Sequence, residues 1–394
     1  MTRISTKHNR RSFLRVSAAA GGGMMLGFSW LAGCKPADEK VAKAVSRAIP
    51  SEWFDVNAFL KIGDTGLVTI FSPNPEIGQN VKTAMPMIIA EELGVAWKDV
   101  VVEQAPFDDS KYDRQVAGGS QSIRQGWKSL RMAGATARQM LINAAAKKWE
   151  VSADECTTKD GVISNSKGET ISYGEIASAT VDMEIPEEVK LKSIADFNII
   201  GTRKGNVDLD GIIMGKPLFG IDTRKEGMLY ASVLRPPAFG QKLDSFDDAA
   251  AKNVTGVKSV LQFGDKVAVL ATSTWAAMKG KKALMAKWKK DTDLESTAGH
   301  NKEMLELLDT PSKEATRKDG DVKKAFAEAD QVIEKTYEAP FLPHNCLEPM
   351  NFYANVTDEK VELLGPIQTP AWTQNRVAEL LGRDKSEVFI DMTR

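Results

Sequence analysis

"PEIGQNVKTAMPMIIAEELG", Pro75 to Gly94, opens as a turn and closes as a helix. Met85, Ile88, Ile89 and Leu93 fall on one stripe at helical spacing, which predicts a helix from about Val81 to Leu93 with Gly94 as its C-cap. Pro86 is tolerated only near a helix's first turn, so the pattern also allows a later start. Gly78-Gln79-Asn80, just ahead of the helix, forms a loop in which a glycine lets backbone approach another group closely.

Outward from this stretch the elements alternate. Upstream, "AFLKIGDTGLVTIFSP" has two alternating runs around Gly63-Asp64-Thr65-Gly66, a hairpin signal. Downstream, a short strand at Val100 to Glu103 precedes "AGGSQS" and a helix from about Trp127 to Trp149. Leu130, Ala133, Ala137, Leu141, Ala144 and Ala145 lie on its inner face, and the alanines with Gly134 predict close helix packing. Turns follow at Asp160-Gly161 and Lys167-Gly168. A second piece reads as strands at Met228 to Leu234, Val257 to Gln262 and Lys266 to Thr272, with helices at Asp247 to Ala251 and Thr274 to Ala286. The expected organisation is a signal (1–34), a polar linker (35–52), a mixed segment (53–200), an α+β module (201–290), a charged linker with one short helix (291–325) and a last segment (326–394). The fold class is α+β, multi-domain and mixed.

"NRRSFLR", Asn9 to Arg15, places Arg10 and Arg11 before an uncharged run from Ala18 to Ala32 that is too short to span a bilayer. The pair resembles a Tat export signal, and "LAGC" resembles a lipobox with Cys34 as the lipidated residue. The expectation is a periplasmic protein, exported folded, with a lipid anchor if the lipobox is used. The rest of the chain is charge-balanced, 52 basic against 53 acidic residues overall. Its one basic cluster, "KGKKALMAKWKK" (Lys279 to Lys290), reads as a solvated helix face and gives no case for nucleic acid. Beyond Cys34 only Cys156 and Cys346 remain, with no CxxC pair. Neither a disulfide framework nor a cysteine-held iron–sulfur cluster is expected on this chain.

No P-loop or GxGxxG fingerprint is present, and the histidines are His8, His300 and His344. A Ser-His-Asp hydrolase would rest on His300 or His344 alone. His344, Cys346 and Glu348 would share one face of a strand, but as a metal set they lack a fourth donor; a structural strand or a loop near a pocket fits the same residues. Three turn-like loops remain: "PEIGQN", "AGGSQS" and "GPIQTP". Each alone is an ordinary turn, but together they suit an anionic or strongly polar ligand met by backbone N–H groups.

In order along the chain, "PEIGQNVKTAMPMIIAEELG", "GGSQSIRQGWKSLRMAGATARQMLINAAA", "GKPLFGIDTRKEGMLYASVLRPPAFG", "PFLPHNCLEPMN" and "QTPAWTQNRVAELLG" resemble one family. It is the molybdopterin-binding large subunit of the isoquinoline 1-oxidoreductase branch of the xanthine dehydrogenase and aldehyde oxidoreductase family. The resemblance covers about Trp53 to Arg394 and implies a multi-domain large-subunit fold in which 201–290 is an α/β-hammerhead-like module. It implies hydroxylation of an N-heterocycle or aldehyde with oxygen from water. The implied cofactor is molybdenum-molybdopterin, with the cytosine dinucleotide as one form. Implied partners are a small [2Fe-2S] subunit, a small-molecule substrate and a downstream electron acceptor such as a cytochrome.

Residue by residue, Gln368 resembles the glutamine that hydrogen-bonds an oxygen ligand of molybdenum, a place suited to a neutral donor. Gly78, Gln79 and Asn80 match a Gly-Gln-Gly loop at the pterin, with Asn80 in place of the last glycine; Asn tolerates left-handed backbone. Gly118, Gly119 and Ser120 match a second cofactor-facing loop. Glu348-Pro349 matches a Glu-Pro pair read as positional. In the family a Gly-Gly-Phe-Gly loop and a general-base glutamate follow the segment matching "SEVFIDMTR". The expectation is therefore the N-terminal portion of a longer enzyme, inactive alone, and the Asn80 substitution sets beside it an alternative, an inactive exported lipoprotein that keeps the scaffold.

Overall fold

The computed structural model describes residues 49–290, 293–310 and 316–394. The twin arginines, Cys34 and most of the first linker lie outside the described residues. The architecture is mixed helix and sheet, in two compact units. One unit draws on the chain up to Ser72, on Thr83–Glu103 and on Ile123–Lys204; the other on Pro73–Lys82, Gln104–Ser122 and Gly205–Arg394. No helix among the described residues is long and apolar enough to cross a membrane.

The first unit holds a four-stranded sheet, in order β1 (Trp53–Asn57), β2 (Leu60–Gly63), β3 (Val68–Ser72) and β4 (Val100–Gln104). The Gly63–Gly66 turn joins β2 to β3 as the alternation predicts, and Leu60, Ile62, Val68 and Ile70 are fully buried. Helix α1 spans Val81–Leu93, with Met85, Ile88, Ile89 and Leu93 in the core and Gly94 at φ +77° closing it. Pro86 stands inside this helix beyond its first turn, a departure from the sequence expectation. The proline forfeits one helical hydrogen bond and crowds the carbonyl four residues earlier, and burial of the flanking apolar residues offsets that cost.

Helix α2 runs Ser122–Trp149, starting several residues before the expected Trp127. Gly126 packs inside the helix, where an added Cβ would lie 3.1 Å from Leu130 and 3.4 Å from Met85. Gly134 confirms the close approach of α1 and α2: a Cβ there would lie 2.3 Å from the Ile89 carbonyl oxygen. Any side chain at this position would force a shift, costing about 1–3 kcal/mol.

Behind α1, two adjacent carboxylates hold an irregular segment. Glu91 accepts from the N–H groups of Asn198, Ile199 and Ile200 and pairs with Lys192 at 3.1 Å. Glu92 pairs with Arg131 at 2.7 Å and accepts from the Lys192 N–H at 3.0 Å. Burial works to raise the Glu91 carboxyl, but those N–H donors and Lys192 outweigh it and the net shift is downward. Removing one partner from such a buried set costs about 3–5 kcal/mol. The unit is completed by strands β5 (Thr157–Lys159), β6 (Val162–Ser164) and β7 (Thr170–Ser172) and the short α3 (Tyr173–Ile176), with Asp160-Gly161 forming the first hairpin turn.

In the second unit, α4 (Leu209–Ile213) precedes β8 (Tyr230–Leu234), β9 (Gln241–Asp247), α5 (Ala249–Lys252), β10 (Val257–Phe263), β11 (Lys266–Ala271), α6 (Thr274–Ala283) and β12 (Met285–Lys290). The sheet order is β10-β11-β8, with β12 and β9 as a separate antiparallel ribbon. The basic cluster at 279–290 is thus half helix and half strand, not one helical face. "MAKWKK" alternates, with Ala286 and Trp288 half-buried and the intervening lysines exposed, a period of two.

Helices α7 (Thr297–Leu308) and α8 (Val322–Ala327) lie in the charged stretch, where one short helix was expected. Residues 331–352 carry neither helix nor strand. Of the two readings of His344, Cys346 and Glu348, a strand or a loop, the strand is absent: Pro340 and Pro343 lack ladder donors and Asn345 sits at φ +45°. No cluster of three metal-ligating side chains occurs among the described residues.

The last sheet decides the site's position. Strand β14 (Val361–Gly365) lies between antiparallel β13 (Tyr353–Val356) and parallel β15 (Val388–Met392), in register from Val361 opposite Val388 to Gly365 opposite Met392. The crossover is α9 (Pro370–Leu381), begun by a proline and closed by Gly382 at φ +63°. Val361, Leu363, Ala378, Val388 and Ile390 form its core, with Phe107 and Val377 against it.

Candidate functional site

Ligand sites in parallel sheets gather where loops leave the carboxyl ends of the strands. Here β14 ends at Gly365, and Pro366 to Thr369 turn the chain into α9, so Gln368 occupies that position. Its backbone carbonyl accepts from the Ala117 N–H at 2.9 Å, and its side-chain Nε2 donates to the Ala117 carbonyl at 2.8 Å. Two residues 251 positions apart are thereby locked face to face. Gly118, Gly119 and Ser120 follow directly, all exposed, with Gly119 at φ +60° and Ser120 at φ +52°. Among the described residues no protein acceptor meets their N–H groups.

This loop stands on a polar base that the sequence reading missed. The Asn74 carboxamide donates to the Val116 carbonyl and to Ser122 Oγ, both at 2.9 Å. Gln115 donates to the carbonyls of Pro73 and Pro106 and accepts from the Asp108 N–H. Asn74 and Gln115 are both buried, and a buried carboxamide left unpaired would cost about 1–3 kcal/mol, so these bonds fix the loop's base.

The second loop, Pro75 to Lys82, is wired differently. Glu76, 2% exposed, accepts from the N–H groups of Gly78 (2.8 Å), Asn80 (3.0 Å) and Lys82 (3.0 Å). The Gln79 carboxamide folds back, accepting from the Ile77 N–H at 2.7 Å and donating to the Pro75 carbonyl at 3.0 Å. Asn80 takes φ +68°, the conformation a glycine would give, and Gly78 at φ +101° has no atom within 4 Å of a would-be Cβ. Arg394 pairs with Asp208 and lies 3.8 Å from Glu76, while Lys82 pairs with Asp208 at 2.9 Å.

Gln368, Gly118, Gly119 and Ser120 are therefore brought together, and Gly78, Gln79 and Asn80 belong to the same compact unit. His344 and Cys346 are exposed. Glu348 accepts from the Ile221 N–H at 2.9 Å and from Asn351 at 2.8 Å, pinning a turn in which Gly220 already abuts Asn351 and Pro366. A shallow depression of about 230 Å³ lined by Leu218, Phe219, Thr223, Leu364 and Thr393 opens beside the ends of β14 and β15. Glu76 carried one readable signal: a carboxylate shortly ahead of a helix start, in a glycine loop whose N–H groups need acceptors.

Two stretches, 19–208 and 307–394, each match a molybdopterin cofactor-binding domain. The membrane-bound aldehyde dehydrogenase (pyrroloquinoline-quinone) of Gluconacetobacter polyoxogenes is 28% identical over 97% of this chain and 50% of its own length. The beta chain of isoquinoline 1-oxidoreductase from Brevundimonas diminuta is 29% identical over 61% of this chain and 36% of its own. A nicotinate dehydrogenase subunit of Pseudomonas putida is 26% identical over 90% of this chain and 30% of its own. Over the matched stretches the chain belongs to the molybdenum hydroxylase family.

The chain spans half or less of the length of these curated relatives. Both glycine loops fall within the first matched stretch and Gln368 within the second, so the Gln368–Ala117 pair joins the two matched stretches. Among solved structures, quinoline 2-oxidoreductase from Pseudomonas putida 86 overlaps 47% of this chain at 14% identity and a TM-score of 0.36, too slight a likeness to place any element.

Proposed function

We propose that this chain holds the molybdenum-molybdopterin cofactor of an enzyme that oxidatively hydroxylates an N-heterocycle or an aldehyde with oxygen from water. The observation that carries the reading is the reciprocal Gln368–Ala117 pair, which sets a carboxamide beside a loop whose backbone donors meet no acceptor among the described residues.

The residues present fit the group. Gly118, Gly119 and Ser120 offer N–H groups to its anionic or polar edge, and Gly78 leaves an open face where a side chain would obstruct approach. When bound, the molybdenum centre supplies the two-electron oxidation of carbon. Gln368 commits one Nε2 hydrogen to Ala117, and its second Nε2 hydrogen would be a neutral donor toward the bound group. Glu348 holds the 220–222 turn in place, a positional role. Asn80 keeps the left-handed conformation, so its departure from glycine is no argument for a cofactor-free scaffold.

The same proposal extends to the cytosine dinucleotide as pterin form, a small [2Fe-2S] subunit taking the electrons and an acceptor such as a cytochrome beyond it. With three cysteines in 394 residues and no CxxC pair, the sequence supports clusters on a partner. Export by a Tat signal and lipidation at Cys34 rest on the twin arginines and "LAGC" alone. The test is elemental and pterin analysis of the complex containing this chain, purified from its natural source. About one molybdenum and one pterin per chain are expected, and a complex free of both overturns the reading.

A further inference from the structure

We propose that Glu76 is a positioning residue for the cofactor loop: an internal anion that occupies the loop's own N–H donors and sets the backbone that Gly78 to Asn80 present. The inference rests on the molybdopterin reading for its ligand, but not for its geometry. Glu76 is almost fully buried, and its two carboxylate oxygens take three N–H groups within six residues, those of Gly78, Asn80 and Lys82. Two of the residues so held, Gly78 and Asn80, lie at positive φ, so the acceptor at the loop's centre fixes a course that glycine and Asn can adopt. Arg394, 3.8 Å from Glu76, offsets its charge, and Asp208, which shares Arg394, is itself offset by Lys82.

A consequence separates this loop from an ordinary anion cradle. With the N–H groups of Ile77, Gly78, Asn80 and Lys82 turned onto Gln79 and Glu76, most of the loop's donors are taken, and it meets the cofactor chiefly through the bare Gly78 face. It contributes shape, and the charge recognition falls to Gly118, Gly119 and Ser120.

Amide-resolved hydrogen exchange on the full chain tests the geometry without reference to cofactor. In the wild type the amides of Gly78 and Asn80 are expected to exchange at least about tenfold more slowly than those of Gly119 and Ser120, the effect of a charge-assisted hydrogen bond. Equal rates in the two loops overturn the proposal before any variant is made. Glu76→Gln keeps the size but opposes an NH2 to a backbone donor, and it should speed exchange at 78–82 by about tenfold. The same variant, folded by circular dichroism, should release its pterin at least about tenfold faster on gel filtration of the natural complex. Faster exchange with unchanged pterin release overturns the positioning role and leaves the molybdopterin reading standing. A wild-type complex that holds no pterin overturns that reading, while the exchange result still decides what Glu76 does to the loop.

Discussion

In residues 75–82 the backbone donors of Ile77, Gly78, Asn80 and Lys82 turn onto side chains of the same loop; in residues 118–120 the donors of three successive exposed residues meet no protein acceptor among the described residues. Both loops carry glycine and left-handed backbone, so composition alone would assign them one role. The difference teaches that a glycine loop's chemistry is set by what already occupies its N–H groups. A carboxylate one residue after the loop's first proline makes one a shaped wall, and its absence leaves the other a candidate polar grip.

The largest effect that bears on this contrast is expected from Gln368→Ala. The substitution removes the side-chain bond to Ala117 but leaves the backbone bond between the same residues, so the 117–120 loop stays in place. Cofactor affinity should fall about 10- to 100-fold, as for loss of a residue that orients a metal's ligands. Measured as molybdenum retained after dialysis of the complex, undiminished content would remove Gln368 from the site.

Gly119→Ala comes next. At φ +60° an alanine is strained by about 1–2 kcal/mol, and its Cβ would stand 3.2 Å from Gln121 Nε2, on a carboxamide that accepts from Arg114 at 2.8 Å. A matching drop in unfolding free energy by denaturant titration is expected, together with weaker cofactor retention. Full stability with full retention would show that the loop does not need its left-handed step.

Much of the first unit's architecture was legible because it is local. Apolar spacing placed α1 at Val81–Leu93, and the Gly63–Gly66 turn placed β2 and β3. What was illegible was of two kinds. Charged residues read as solvent-facing, yet Glu76, Glu91 and Glu92 are buried because each meets donors from distant or irregular backbone. Lysines likewise hid β12, since a run of Lys279 to Lys290 suggests an exposed helix until Ala286 and Trp288 are seen to alternate. The site itself joins Ala117 to Gln368 across 251 positions, and no periodicity reports a pairing at that distance. Family motifs named its residues, but only the folded chain shows that one loop is internally satisfied and the other is not.

The smallest expected effect is at the position where this chain departs from the Gly-Gln-Gly pattern. Asn80→Gly removes a side chain at φ +68°, where Asn is among the few residues that sit without much strain and Gly sits freely. The backbone N–H of residue 80 still reaches Glu76 Oε1, so the loop's course should not change. Relief of left-handed strain and the added entropy of an unfolded glycine oppose each other, and the net change in stability should stay within about 0.5 kcal/mol. Cofactor content should likewise match the wild type, because the bare face at residue 78 is already open. A several-fold rise in molybdenum on restoring glycine would reverse the expectation: the Asn80 side chain would then be an obstruction on the cofactor's side of the loop, and the wall would be shaped against its ligand.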